Sequence, residues 1–356
     1  MSAFFSKPFS ARVPMLAALA LSLVIAAWAS RASAQPGPDG IDWVTIGATN
    51  NPAYNREDHG GNVTGRGSVP WLYRMGRTEV TTATWVEFFN AVYARATPLA
   101  VNNVWLFEPV DWGAEIDPTY NGPGMKWRVS PSIPSAAMLP ANSISWRVAA
   151  VLCNWLHNDK SSAPSAFTNG AYDTMTFGYD TTGRFTDQGV HNPNARYWIP
   201  TLDEWLKASY FDPNKDGLPQ GGWWRSPNAS DNPLIYGPPG QGQANALFNL
   251  PNDGQWRIPL GAYPDTRTAF GLLDVSGGTQ EWTEWDPFGE HTSRSMQGSA
   301  AGSTGGAPIL DRPDSISGAP PFAVADTFGF RLASSIPTPA SLIFLLGVLF
   351  QPRRRQ

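Results

Sequence analysis

Two carboxylates seven residues apart, Asp274 and Glu281, bracket the stretch GLLDVSGGTQEW at 271–282. Between them stands the pair Gly277 and Gly278, whose backbone can take positive φ and turn its carbonyls toward one point. Carboxylates and carbonyls together are what a hard cation such as calcium takes, six to eight oxygens in all. Asp274, Glu281 and the carbonyls of Val275, Gly277 and Thr279 make one such set. The same residues also read as an acidic turn leading into a strand that ends at Trp282 and Trp285. Spacing alone leaves both readings open.

Other chemistry-bearing residues are sparse. The only cysteine, Cys153, shares a helical face with Trp146, Ala150 and Leu156, at offsets 0, 4, 7 and 10, which is the position of a small packed hydrophobe. One cysteine also excludes an internal disulfide. The four histidines, His59, His157, His191 and His291, are far apart, so no local pair of metal ligands exists, although distant ones could converge in space. Serine-nucleophile and phosphate-loop glycine motifs are absent. Asp212 to Gly217 imitates half of an EF-hand loop, but its twelfth position is Trp223 and no flanking helix pair is evident, so a surface turn is the better reading. A net charge of −4 supplies no basic field, which argues against nucleic acid as a partner.

Such residues need elements to position them, and the composition says what kind. With 34 Gly and 33 Pro in 356 residues the chain turns often and has few long helices, and 16 Trp imply aromatic packing between irregular loops. Both ends read as addresses. Lys7 and Arg12, an apolar run over 13–29 and the A-x-A site at 32–34 make a secretory leader, 1–34, and predict an exported protein. At 336–356 a proline spacer, an apolar run of about ten residues and Arg353, Arg354 and Arg355 follow. That run is short of the roughly 20 residues a spanning helix needs, which points to transient membrane contact. The tail resembles the PEP-CTERM sorting tails of bacterial proteins, with Thr338 where the motif has Glu, and implies sorting machinery as a partner.

Between these ends one domain, 35–335, is expected. A short strand at 41–46 is followed by a strand entering a Thr cap at 73–82. Trp85, Phe88, Phe89 and Val92 then mark a helix face. The second helix starts near Trp146, a hairpin is plausible over 170–180, and Thr201 with Glu204 forms a capping box for a third helix.

Five stretches in order resemble signatures of the formylglycine-generating (sulfatase-modifying factor) family: 73–92, 139–156, 197–205 (YWIPTLDEW, like YRLPTEAEWE), 271–282 (like GLxDMxGNVWEW) and 326–333 (closing GFRxA). Gly278 stands where the family usually has Asn, and Trp198 where it commonly has Arg. The resemblance implies an irregular, loop-rich α+β fold of C-type-lectin type with structural calcium. One ion falls on Asp274, Val275, Gly277, Thr279 and Glu281. A looser match places another on Asn245, Ala246, Asp253 and Gln255. Oxidase members hold copper with two cysteines, soft ligands suited to Cu(I). Those positions fall here at about Gly302 and Ala307, so copper-dependent oxidation is not expected. The reading is a non-catalytic binding or structural module of the cell envelope or extracellular matrix, contacting a polysaccharide or a protein. Trp223 and Trp224 are candidate contacts, with core packing the more ordinary role for both. The alternative is a non-haem iron oxidoreductase of the same fold, with histidines converging from a distance.

Overall fold

The computed structural model describes residues 39–56, 61–303 and 306–337. The leader, the tail from 338 onward and His59 lie outside the described residues. In chain order the strands are β1 (Trp43–Ile46), β2 (Tyr73–Gly76), β3 (Ala114–Ile116), β4 (Trp127–Val129), β5 (Tyr197–Trp198), β6 (Phe211–Asp212), β7 (Gly222–Trp223), β8 (Gln280–Trp282), β9 (Arg294–Gln297), β10 (Ser317–Ala319), β11 (Phe328–Gly329) and β12 (Ala333–Ser334). Two four-stranded sheets carry the domain, one ordered β1-β2-β12-β5 and the other β10-β9-β8-β11. The first is antiparallel throughout, and in the second β11 runs parallel to β8. Expected as one closing strand, 326–333 instead splits: β11 joins one sheet and β12 the other, with Arg331 between them.

Three helices pack against this frame: α1 (Thr82–Tyr93), α2 (Trp146–His157) and α3 (Leu202–Tyr210). Thr81 caps α1 by accepting from the Thr84 amide, and Trp85, Phe88, Phe89 and Val92 are all buried. In α3 the capping box is complete, with Thr201 accepting from the Glu204 amide and Glu204 from the Thr201 amide. The second helix differs from a one-sided reading. It is buried all round from Trp146 to Leu156, which makes it the central helix of the domain. Its polar residues are paid for by the loops that wrap it. Asn154 exchanges hydrogen bonds with Tyr172 (2.7 and 2.9 Å), and Arg147 meets Asp187 at 2.7 and 2.8 Å. The same demand removes the hairpin expected over 170–180. That segment instead forms a turn of 3-10 helix at Thr174–Thr176, capped by Asp173.

Aromatic rings fill the spaces between loops, as the tryptophan count suggests. Phe88 contacts Trp85, Trp155 and Phe167 with ring centroids 5.1 to 6.2 Å apart, the tilted geometry that ring quadrupoles favour.

Candidate functional site

The 271–282 stretch sits where the two sheets meet. Asp274 (φ 53°), Gly277 (φ 83°) and Gly278 (φ 56°) all have positive φ and fold the chain into a tight loop ahead of β8. A Cβ at Gly277 would strike the Asn245 side chain, and one at Gly278 would strike Glu79. Glycine therefore fits both positions without displacing either side chain.

Arg331, fully buried, reaches into this loop. Its Nε and Nη2 donate to Glu281 at 2.7 to 3.1 Å, Nη1 donates to the carbonyls of Gly76 and Arg77, and Nη2 to those of Leu273 and Asp274. Trp205 Nε1 adds a bond to Glu281 Oε2 at 2.7 Å. Nearby Glu79 accepts from the amide and hydroxyl of Thr279 at 3.0 and 2.7 Å. Burial, then the charge of Glu281, pushes the Glu79 carboxyl well above its usual range. Burial likewise lifts Asp274 to about 6, although it accepts from the Gly261 amide.

The second set lies against the first. Asn245 Oδ1 accepts from the Gly278 amide at 2.8 Å, Asn245 Nδ2 donates to the Gln255 carbonyl at 3.0 Å, and the Asn245 carbonyl takes the Gly302 amide. Ala246 is buried beside Asn245, while Asp253 is exposed. The structure therefore brings Asn245, Gln255, Gly277 and Gly278 together and leaves Asp253 apart. Calcium asks for a cage of uncommitted oxygens. Here both Glu281 oxygens, Asn245 Oδ1 and the Gln255 carbonyl are engaged in protein hydrogen bonds, and Arg331 places its own positive charge beside Glu281. As arranged, Glu281 and Asn245 are not free to ligate a calcium ion.

A cluster absent from the sequence reading lies close by. Asp311, 4% exposed, collects four donors: the Ser299 amide at 3.0 Å on Oδ1, and on Oδ2 the hydroxyls of Ser276 (2.7 Å), Tyr236 (2.7 Å) and Ser299 (3.1 Å). Burial pushes its carboxyl up to about 6 against those bonds. Above this knot opens a cavity of about 260 Å³, lined among others by Ser226, Tyr236, Pro308, Asp311 and Arg312. Pro308 belongs to the one-turn helix Ala307–Leu310. Of the two positions matched to copper-holding cysteines, Ala307 accepts from the Asp311 amide beside the knot, and Gly302 lies against Asn245 and Gln255. The serines face a carboxylate with no imidazole, and each Asp311 oxygen is already bonded, so the knot supplies neither an activated nucleophile nor a free base.

The remaining candidates are occupied elsewhere. Cys153 is fully buried, and burial pushes its thiol well up. His191 Nδ1 lies 3.0 Å from Glu284 and its ring stacks on Trp198, His157 accepts from the Arg196 amide, and His291 lies 3.5 Å from Asp286. Among the described residues no group of three or more His, Cys, Asp or Glu is placed to hold a metal. Of the two candidate contacts, Trp223 takes the alternative role of core packing, buried against Tyr54 and Phe211, and Trp224 lies beneath Lys215 Nζ at 3.9 Å.

These sheets, helices and closing strands define a loop-rich α+β domain of the sulfatase-modifying-factor type. The sequence matches the "Sulfatase-modifying factor enzyme 1-like domain" family over residues 62–336, and the chain belongs to that family. No curated protein matches it. Solved structures similar to it include CarF (17% identity, TM-score 0.47, covering 83% of this chain and 99% of that one). Treponema denticola variable protein 1 is similar at 17% identity and TM-score 0.44, with 83% and 95% covered. PvdO from Pseudomonas aeruginosa is similar at 16% identity and TM-score 0.46, with 85% and 97% covered. At these values the likenesses carry no argument about chemistry.

Proposed function

We propose that this chain is an exported, non-catalytic member of its family, a binding or structural module of the cell envelope or extracellular matrix. The observation that carries the reading is the Asp311 knot. Where the resemblance places copper ligands, the chain has Gly302 and Ala307, neither a metal ligand, and Ala307 lies beside a carboxylate saturated by two serines and a tyrosine. The one thiol is sealed inside α2. What stays open is the cavity above the knot, a recess on a rigid frame, and recesses framed by loops are where binding is carried.

The leader and tail support export and sorting at the envelope. The resemblance implies calcium, yet two of the side chains it designates, Glu281 and Asn245, are taken up by Arg331, Trp205 and the Gly278 amide, so this reading assigns an ion no role. The test is elemental analysis of the purified mature protein together with an assay for oxidation of a cysteine-containing sulfatase peptide. The proposal expects no stoichiometric copper or iron and no aldehyde product. Stoichiometric iron would overturn it in favour of a non-haem oxidoreductase, and aldehyde formation in favour of a cysteine oxidase.

A further inference from the structure

The lining of the cavity is unevenly satisfied, and that asymmetry points to a ligand. Its two acids are committed. Asp231 holds Lys215 Nζ on both oxygens, at 2.9 and 2.8 Å, and Asp311 is saturated from below. Arg312 differs. Partly buried on the cavity wall, its guanidinium makes no hydrogen bond and no ion pair among the described residues. A guanidinium drawn partly out of water without an acceptor is unfavourable, and its planar fork matches a carboxylate bidentately. The remaining walls carry a second arginine, Arg225, together with apolar faces from Pro233, Leu234, Pro308, Pro313 and the Tyr236 ring, with the Ser226 hydroxyl among them. A volume of about 260 Å³ lies just under the roughly 300 Å³ at which drug-sized sites begin, and it suits a single sugar ring.

We infer that this cavity binds the carboxylate of a sugar acid, a uronic-acid unit of a polysaccharide, with Arg312 on the carboxylate and the proline and tyrosine faces against the C–H face of the ring. The inference rests on the reading of the chain as a binding module. Its test is calorimetric titration of the purified mature protein with a uronic-acid trisaccharide, the neutral trisaccharide of the same linkage and an acidic tripeptide. Arg312→Gln and Arg312→Lys are titrated in parallel. Because the Arg312 side chain bonds none of the described residues, both variants should keep the wild-type Tm. The expected result is binding of the acidic sugar that weakens with salt, about tenfold or more loss in Arg312→Gln, and an intermediate loss in Arg312→Lys. Equal binding of the neutral sugar, or an unchanged Arg312→Gln, would overturn the inference while leaving a binding module standing. Capture of the peptide in place of the sugar would overturn the saccharide assignment. Binding of none of the three would overturn the inference, and the binding reading would then stand or fall on the metal and aldehyde assays.

Discussion

Replacing Arg331 by methionine tests whether a side chain does the work expected of a metal ion. The guanidinium is wholly buried and serves Glu281 and four carbonyls drawn from Gly76, Arg77, Leu273 and Asp274. Methionine fills much of the space but leaves Glu281 buried, without its guanidinium partner and supported only by Trp205. Breaking a buried pair from one side costs about 3–5 kcal/mol. That is a large part of the roughly 5–15 kcal/mol that holds a domain folded. At roughly 2 °C per kcal/mol for a domain of this size, Tm should fall by about 6–10 °C. Urea unfolding followed by circular dichroism reads the loss directly. Adding Glu281→Gln should restore part of it, because the uncompensated charge is removed. The decisive arm is calcium. Millimolar calcium or a chelator should leave wild-type Tm unchanged if Arg331 already occupies these oxygens. A loss below about 1 kcal/mol in Arg331→Met, or clear stabilisation of the wild type by calcium, would refute the reasoning.

The Asp311 carboxyl titrates near 6 when folded and near 3.9 when unfolded, so the native state holds a proton that the unfolded chain has released. Stability from this group therefore falls as pH rises from about 4 to about 6, by about 3 kcal/mol, and then levels. Asp311→Asn should remove that fall in urea midpoints measured across the range. Thr201→Ala should cost about 1 kcal/mol in the same assay, through loss of the capping box on α3. Gly278→Asn would restore the residue usual in the family yet drive a Cβ into Glu79, so it should lower Tm, and a rise would mean that Glu79 yields easily. Trp223→Ala, by emptying a buried site against Tyr54 and Phe211, should cost about 3–5 kcal/mol.

What was legible beforehand is what local spacing encodes. Thr201 and Glu204 stand three residues apart, and their reciprocal bonds form within one helical turn. The apolar periodicity of α1 works the same way. Family signatures carried the fold further, because they mark strands and turns that spacing leaves ambiguous. Long-range polar contacts were not legible. Arg331 lies 50 positions from Glu281, and Tyr236 lies 75 from Asp311. Neither pair leaves a periodic trace. The full burial of α2 was hidden too, because Arg147 and Asn154 read as a solvent face until the loops holding Asp187 and Tyr172 are seen to wrap them. The role of Trp223 stayed open for a related reason. Its Gly-rich neighbours suggest an open loop, but Gly67 lacks the Cβ that would strike the indole ring, so a second chain segment can lie over it.

The placement of β12 between β2 and β5 bears on how the domain can be made. Its partners lie some 135 to 260 residues upstream, and it fills the centre of a sheet rather than lengthening an edge. Pairings of such sequence separation form slowly, since the closure of long loops must precede any gain from the contacts. A ribosome delivers 73–76 and 197–198 long before 333–334, so the first sheet stays split in two until the end of the domain emerges. The second sheet awaits β11 from the same segment. Truncation before residue 328 would thus yield two unfinished sheets with unpaired strand edges, the form in which chains pair with one another instead of with themselves.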